Sequence, residues 1–193
     1  MTTIGITGGI GSGKSVVVSL LETYRMPVYI ADKESKRLVA SSPSIREQLT
    51  ALLGKSVYAA NKWNHALMAS LIFNDPALLT QVNAIIHPEV ACHFQTWVQQ
   101  QSAPYVALES AILFESGFDR KVDIRVMVYA PQALRIQRTM TRDRVTENEV
   151  LRRMENQLPD EIKKERSDFI IFNDEKQALI PQIEMLIAYI RKR

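Results

Sequence analysis

Gly8-Gly9-Ile10-Gly11-Ser12-Gly13-Lys14-Ser15 holds the residue types that bind a polyphosphate. Glycine, four residues, then Gly-Lys-Ser is the spacing of a backbone loop that cradles phosphate oxygens. The glycines let the chain turn tightly and aim successive N–H groups at one point. Such groups at a helix start hold an anion without charged side chains. Lys14 adds a positive charge for the β- and γ-phosphates, and the Ser15 hydroxyl suits a Mg²⁺ ligand. Two carboxylates, Asp32 and Glu109, each end an apolar run. An acid after a strand is well placed for chemistry in an open parallel sheet. Asp32 has a second reading, as the cap of a helix starting at Lys33. Arg135, Arg138 and Arg142 fall at i, i+3 and i+7, so one helix face presents all three, and Arg144 follows. Their planar donors suit phosphate. The alternative is a solvated face paired to Asp143 and Glu147.

These residues need elements to hold them. Thr2 to Thr7 reads as a strand before the loop, and Val16 to Leu21 as a buried helix after it. Strand, loop, helix is the context that this motif requires. Further strands are predicted at Val28–Ala31, Pro104–Glu109, Ile124–Tyr129 and Phe169–Phe172. Residues 33 to 101 read mainly as helix: Ser44 to Leu53, Trp63 to Phe73, Ala77 to Ile86, then a restart at Pro88 after a break at His87. That is too long for one crossover, so it is the expected inserted subdomain. Residues 135–165 are the expected lid. Leu179, Ile180, Ile183, Leu186, Ile187 and Ile190 form a helical core stripe.

The chain as a whole narrows the classes. Its 193 residues fit one domain. A net charge of +3 does not suggest a nucleic-acid polymer as partner, although Arg191-Lys192-Arg193 is locally basic. Cys92 is the sole cysteine, which excludes an intrachain disulfide and a cysteine zinc site. His65, His87 and His93 have no converging ligands in spacing, so they do not read as a metal centre. No apolar run approaches a membrane span, and residues 1–13 lack Lys and Arg, so a cytoplasmic protein is expected. A nucleotide switch would be expected to carry Asp-x-x-Gly, and no glycine here has Asp three residues before it. Asn61-Lys62-Trp63-Asn64 ends in Asn where a switch would carry Asp. A kinase for a small metabolite fits the arginine-bearing segment better.

From about Ile4 to Asn173 the chain resembles the dephospho-coenzyme A kinase family. The resemblance runs through Thr7 to Ser15, Asp32, Ile72-Phe73 leading to His87-Pro88, and Ile112-Leu113-Phe114-Glu115. It continues through Gln137-Arg138, Arg142, Gln157, and Asp168 with Asn173. There are departures: Val16 stands for a usual Thr, Ala111 for Pro, His65 for Arg, and Glu175 for a frequent Gly. The resemblance implies a three-layer P-loop fold with a five-stranded parallel sheet, a helical acceptor-binding subdomain and a lid. It implies γ-phosphoryl transfer from Mg-ATP to the 3′-hydroxyl of dephospho-coenzyme A. ATP would contact Gly8 through Val16, Arg138, Arg142 and Asn173. Mg²⁺ would sit on Ser15. Asp32, Lys14 and Arg142 would be catalytic, and Asp32, His87 and Glu109 would meet the acceptor. A nucleoside monophosphate kinase, or another small-metabolite kinase of this fold, is the alternative.

Overall fold

The computed structural model describes residues 1–73 and 75–192, without the side chains of Ala60 and Asn61; Arg193, the end of the basic tail, lies outside them. Five strands form one sheet: β1 (Thr2–Thr7), β2 (Val28–Ile30), β3 (Tyr105–Glu109), β4 (Ile124–Tyr129) and β5 (Phe169–Phe172). Their order is β2-β3-β1-β4-β5, and every pairing is parallel. The strands are rich in apolar residues because both sheet faces are covered. On one face Ile4, Ile6, Ile124, Val126 and Val128 pack with α1 (Lys14–Thr23) and α9 (Leu179–Arg191). Of the predicted C-terminal stripe, Ile183, Leu186 and Ile190 join that core and Leu179 and Ile187 pack against it, whereas Ile180 faces away and is 55% exposed. On the other face Gly5 lies against Leu113 and Val122.

The chain divides into two compact units, residues 1–30 with 101–193, and residues 31–100. The first holds the sheet and, between β4 and β5, three helices: α6 (Gln132–Asp143), α7 (Glu147–Glu155) and α8 (Asp160–Glu165). α6 ends at Arg144, which adopts the left-handed conformation. α7 starts at a reciprocal cap between Thr146 and Glu149.

Among the described residues the second unit is wholly helical: α2 (Ala31–Ser41), α3 (Pro43–Leu53), a 3₁₀ turn (Lys55–Asn61), α4 (His65–Phe73) and α5 (Pro76–Gln99). Ser42 caps α3 by accepting from the Ile45 N–H, and Asp75 caps α5 by accepting from the Leu78 N–H. Two expectations fail here. Ala31 opens α2 rather than closing β2, and Asp32 is therefore inside the first turn rather than its cap. The break at His87-Pro88 is also absent, since α5 runs through Pro88. Val82, Ile86, Val90 and Phe94 recur every four residues on both sides of the proline and are all buried. Continuous burial of that stripe outweighs the lost hydrogen bond and ring clash of an interior proline, about 3 kcal/mol.

A continuous α5 makes a prediction. Pro88→Ala restores a backbone donor and removes the clash, while freeing the unfolded chain. The net gain should be roughly 2 kcal/mol in urea unfolding, about 3 from the helix less about 1 from the unfolded state. An unchanged midpoint would mean that the helix tolerates the proline at a true break.

Candidate active site

β1 delivers the chain directly into the loop 8–13, and α1 leaves from it. Gly13 caps α1 in the left-handed region, with no side-chain cap and no acidic residue in the first turn. The positive end of the helix is thus left to an external anion. Gly11 and Gly13 have φ of 77° and 89°. A Cβ at Gly11 would collide with the Arg135 carbonyl oxygen, and one at Gly13 with the Asn173 amide. Lys14 Nζ folds back on the loop, donating to the Gly8 carbonyl at 2.9 Å and the Gly9 carbonyl at 3.4 Å. Burial lowers its pKa to about 8; the Glu109 charge opposes this, while Lys163, Arg135 and Arg142 add to it.

The loop is braced from three directions. Arg135 Nη1 donates to the Ile10 carbonyl at 3.4 Å, and its Nη2 donates to Asp160 Oδ2 at 2.6 Å. Gln157 Oε1 accepts the Ile10 N–H at 3.0 Å. Asn173 Nδ2 donates to the Ser12 carbonyl at 2.8 Å. Arg138 then holds Asn173, donating from Nη1 to its carbonyl at 3.1 Å and from Nη2 to Glu175 Oε1 at 3.0 Å. Glu175, where the family often has glycine, has φ of 64°. That left-handed conformation is the one glycine adopts without strain.

The expected arginine face therefore divides. Arg135 is buried beneath the loop and Arg138 braces Asn173. Arg142 is exposed and grips Asp143, from Nε to Oδ1 at 2.7 Å and Nη2 to Oδ2 at 3.1 Å. Arg153 joins the same Oδ2 at 2.9 Å. The local pairing considered for this face is thus present at Arg142, although its charge still reaches Lys14. Glu109 ends β3 level with Ile6 of β1, and its charge also reaches Lys14. Ser15 and Val16 are exposed at the start of α1.

Asp32 and His87 belong to the second unit. Asp32 is 77% exposed and its Oδ2 accepts from Lys36 Nζ at 2.8 Å, one turn on. Burial lowers the His87 pKa, which keeps its imidazole neutral near pH 7. Asp168, part of the family resemblance, serves elsewhere. It accepts from the Arg125 N–H and Nε, both at 2.8 Å, at the amino end of β4, opposite the loop.

Sequence reasoning assigned no role to Gln157, Asp160, Glu115 or Lys163. Gln157 and Glu115 stood within the resemblance, and Asp160 and Lys163 carry no spacing signal. Their contacts, of which only that of Gln157 is with the loop itself, span 25 to 147 residues of sequence, beyond any local pattern.

The fold is that of the P-loop kinases. A shikimate kinase structure from Acinetobacter baumannii superposes with a TM-score of 0.55 over 100% of this chain and 94% of that one, at 17% identity. The dephospho-CoA kinase family model matches residues 2–178, and the chain belongs to that family. A Bacteroides fragilis dephospho-CoA kinase is 48% identical, over 98% of this chain and 93% of its own. A Thermus thermophilus crystal structure superposes with a TM-score of 0.84 at 32% identity, over 99% of this chain and 97% of that one.

The lowered Lys14 pKa has a sign in stability. Its folded value, about 8, lies below the ordinary 10.5. Holding the charged form in the cleft therefore costs stability below pH 8, and that cost fades as the pH rises between the two values. Lys14→Met should raise the melting temperature at pH 7, with the gain shrinking from about pH 8 upward. A lower melting temperature at pH 7 would show that the cleft does not penalise the charge.

Proposed function

We propose that this chain transfers the γ-phosphoryl group of Mg-ATP to the 3′-hydroxyl of dephospho-coenzyme A. The observation that carries the reading is the phosphate loop itself, an uncapped helix start with Lys14 inside it, in a chain matched over residues 2–178 by one kinase family.

In this reading the protein does little covalent work. Positioning and charge neutralisation supply the rate. The loop N–H groups and Lys14 bind the β- and γ-phosphates. Lys14 already makes hydrogen bonds of the length a phosphate oxygen would accept, to the Gly8 and Gly9 carbonyls. A bound phosphate would replace those carbonyls as its acceptors. Arg142 closes over the transferring group with a planar fork, and its exposed pair with Asp143 is cheap to exchange. Arg138 and Asn173 act at the nucleotide side of the loop, and Val16 lines it.

Mg²⁺ fits the donors present. Among the described residues no group of three His, Cys, Asp or Glu forms a metal cage. Mg²⁺ asks for little from protein, because it keeps several waters and binds substrate phosphates. Ser15 offers one exposed hydroxyl beside Lys14, and Glu109 lies at the end of β3. When bound, the ion neutralises phosphate charge.

Residues 31–100 are the proposed acceptor-binding part, with Asp32, His87 and Glu109 meeting the acceptor. Asp32 lies two residues beyond β2, stands in the first turn of α2, and pairs with the exposed Lys36. Its carboxylate would orient and accept the proton of the attacking hydroxyl.

Two measurements test this. An ADP-release assay across acceptors should show strong preference for dephospho-coenzyme A over AMP, CMP and shikimate. Comparable turnover of AMP or CMP would replace the reading with a nucleoside monophosphate kinase. Asp32→Asn should lower kcat by about 10²–10⁴, as loss of a positioned base does. The melting temperature should stay near wild type, since an exposed i,i+4 pair contributes only about 0.3–0.5 kcal/mol. A variant that keeps most of its kcat would move the base assignment to Glu109.

A further inference from the structure

Lys163 takes no part in the reaction as proposed, yet its side chain is 0% exposed. A buried ammonium is costly unless it is paired and hydrogen-bonded. Both conditions are met here. Its Nζ donates to the Ala111 carbonyl at 2.9 Å and lies 3.1 Å from Glu115 Oε1. The same Glu115 oxygen accepts the Leu158 N–H at 2.8 Å. One carboxylate oxygen on the loop after β3 therefore holds two points of the segment 158–163.

That segment and its neighbour also touch the phosphate loop. Gln157 accepts the Ile10 N–H, and Asp160 accepts from Arg135, whose other arm donates to the Ile10 carbonyl. Gln157, which holds the Ile10 N–H, and Asp160, which holds the arginine on the Ile10 carbonyl, thus lie beside and within the segment that the Glu115–Lys163 pin anchors. A charged pin is directional, whereas an apolar contact would let the segment slide.

We propose that Lys163 is a positioning residue for nucleotide binding, which acts through Glu115 and Ala111 to seat the segment that shapes the phosphate loop at Ile10. The inference rests on the nucleotide half of the proposed function and not on the acceptor.

The test compares wild type, Lys163→Met, Glu115→Gln and the double variant, titrated with Mg-ADP and with adenosine at neutral pH alongside melting curves. Lys163→Met strands a carboxylate and can lower stability for that reason alone. The double variant removes both charges and should melt close to wild type. It should still bind Mg-ADP about tenfold more weakly at neutral pH, as loss of a supporting shell does. The loss should be confined to ligands whose phosphates reach the loop, so adenosine should bind wild type and the double variant equally. Unchanged affinity in a folded double variant overturns the proposal. An equal loss of affinity for adenosine also overturns it, since that is the signature of a merely structural pin. The readout needs no acceptor, so failure to phosphorylate dephospho-coenzyme A would sink the acceptor reading and leave this comparison intact.

Discussion

A backbone that binds anions with its own N–H groups has no side chains to hold its shape, so the shape must be imposed from outside. That constraint governs the first unit. The loop 8–13 is glycine-rich because neighbouring residues occupy the space where side chains would lie. The Arg135 carbonyl and the Asn173 amide stand where Gly11 and Gly13 would place a Cβ. The same neighbours then hold the loop by hydrogen bonds to Ile10 and Ser12. The space and the bracing are one feature. The left-handed turn at Glu175 follows from it as well, since that residue anchors Arg138, which holds the carbonyl of Asn173. Backbone strain at Glu175 is thus tied to the shape of the loop through two side chains.

Much of the fold was legible in sequence. Five apolar runs gave five parallel strands, because a sheet buried on both faces needs continuous hydrophobic stretches. The last helix was legible because its stripe follows the helical period. Two errors have one origin. At Ala31 and at Pro88 local rules were overridden by what lay alongside. Asp32 and Glu34 favour a helix start at Ala31 through the positive end of its dipole, which moves the boundary forward. At Pro88 the buried stripe continues on both sides, and local propensity at one residue cannot outweigh four buried side chains.

The site was legible unevenly. The loop was readable because contiguous residues make it. The arginine face was readable as a face, but not the different tasks of its members. Arg135, Arg138 and Arg142 share a spacing and differ in what stands opposite: Asp160, Glu175 and Asp143. Those partners come from different elements, and no helical period encodes them. Gln157, Glu115 and Lys163 escaped assignment for the same reason. Their significance lies in contacts made across the fold.

The pairing of charges explains how the site can be crowded with cations and still keep one for a ligand. Arg135 has Asp160, Lys163 has Glu115, and Arg138 has Glu175. Each pair is partly or wholly buried on its cationic side, where losing a partner would leave a charge without compensation. Arg142 and Arg153 share the Asp143 carboxylate at the surface. Exposed pairs of that kind are worth about 0.2–1 kcal/mol, so an incoming phosphoryl group displaces one at little cost. Lys14 differs from all of them. Its hydrogen-bond partners are two neutral carbonyls, and its proton is held less tightly than that of an ordinary lysine. A polyphosphate would supply the negative charge that the cleft withholds. On the proposed reading, binding therefore relieves an electrostatic cost that folding leaves in place, and the relief is centred on Lys14.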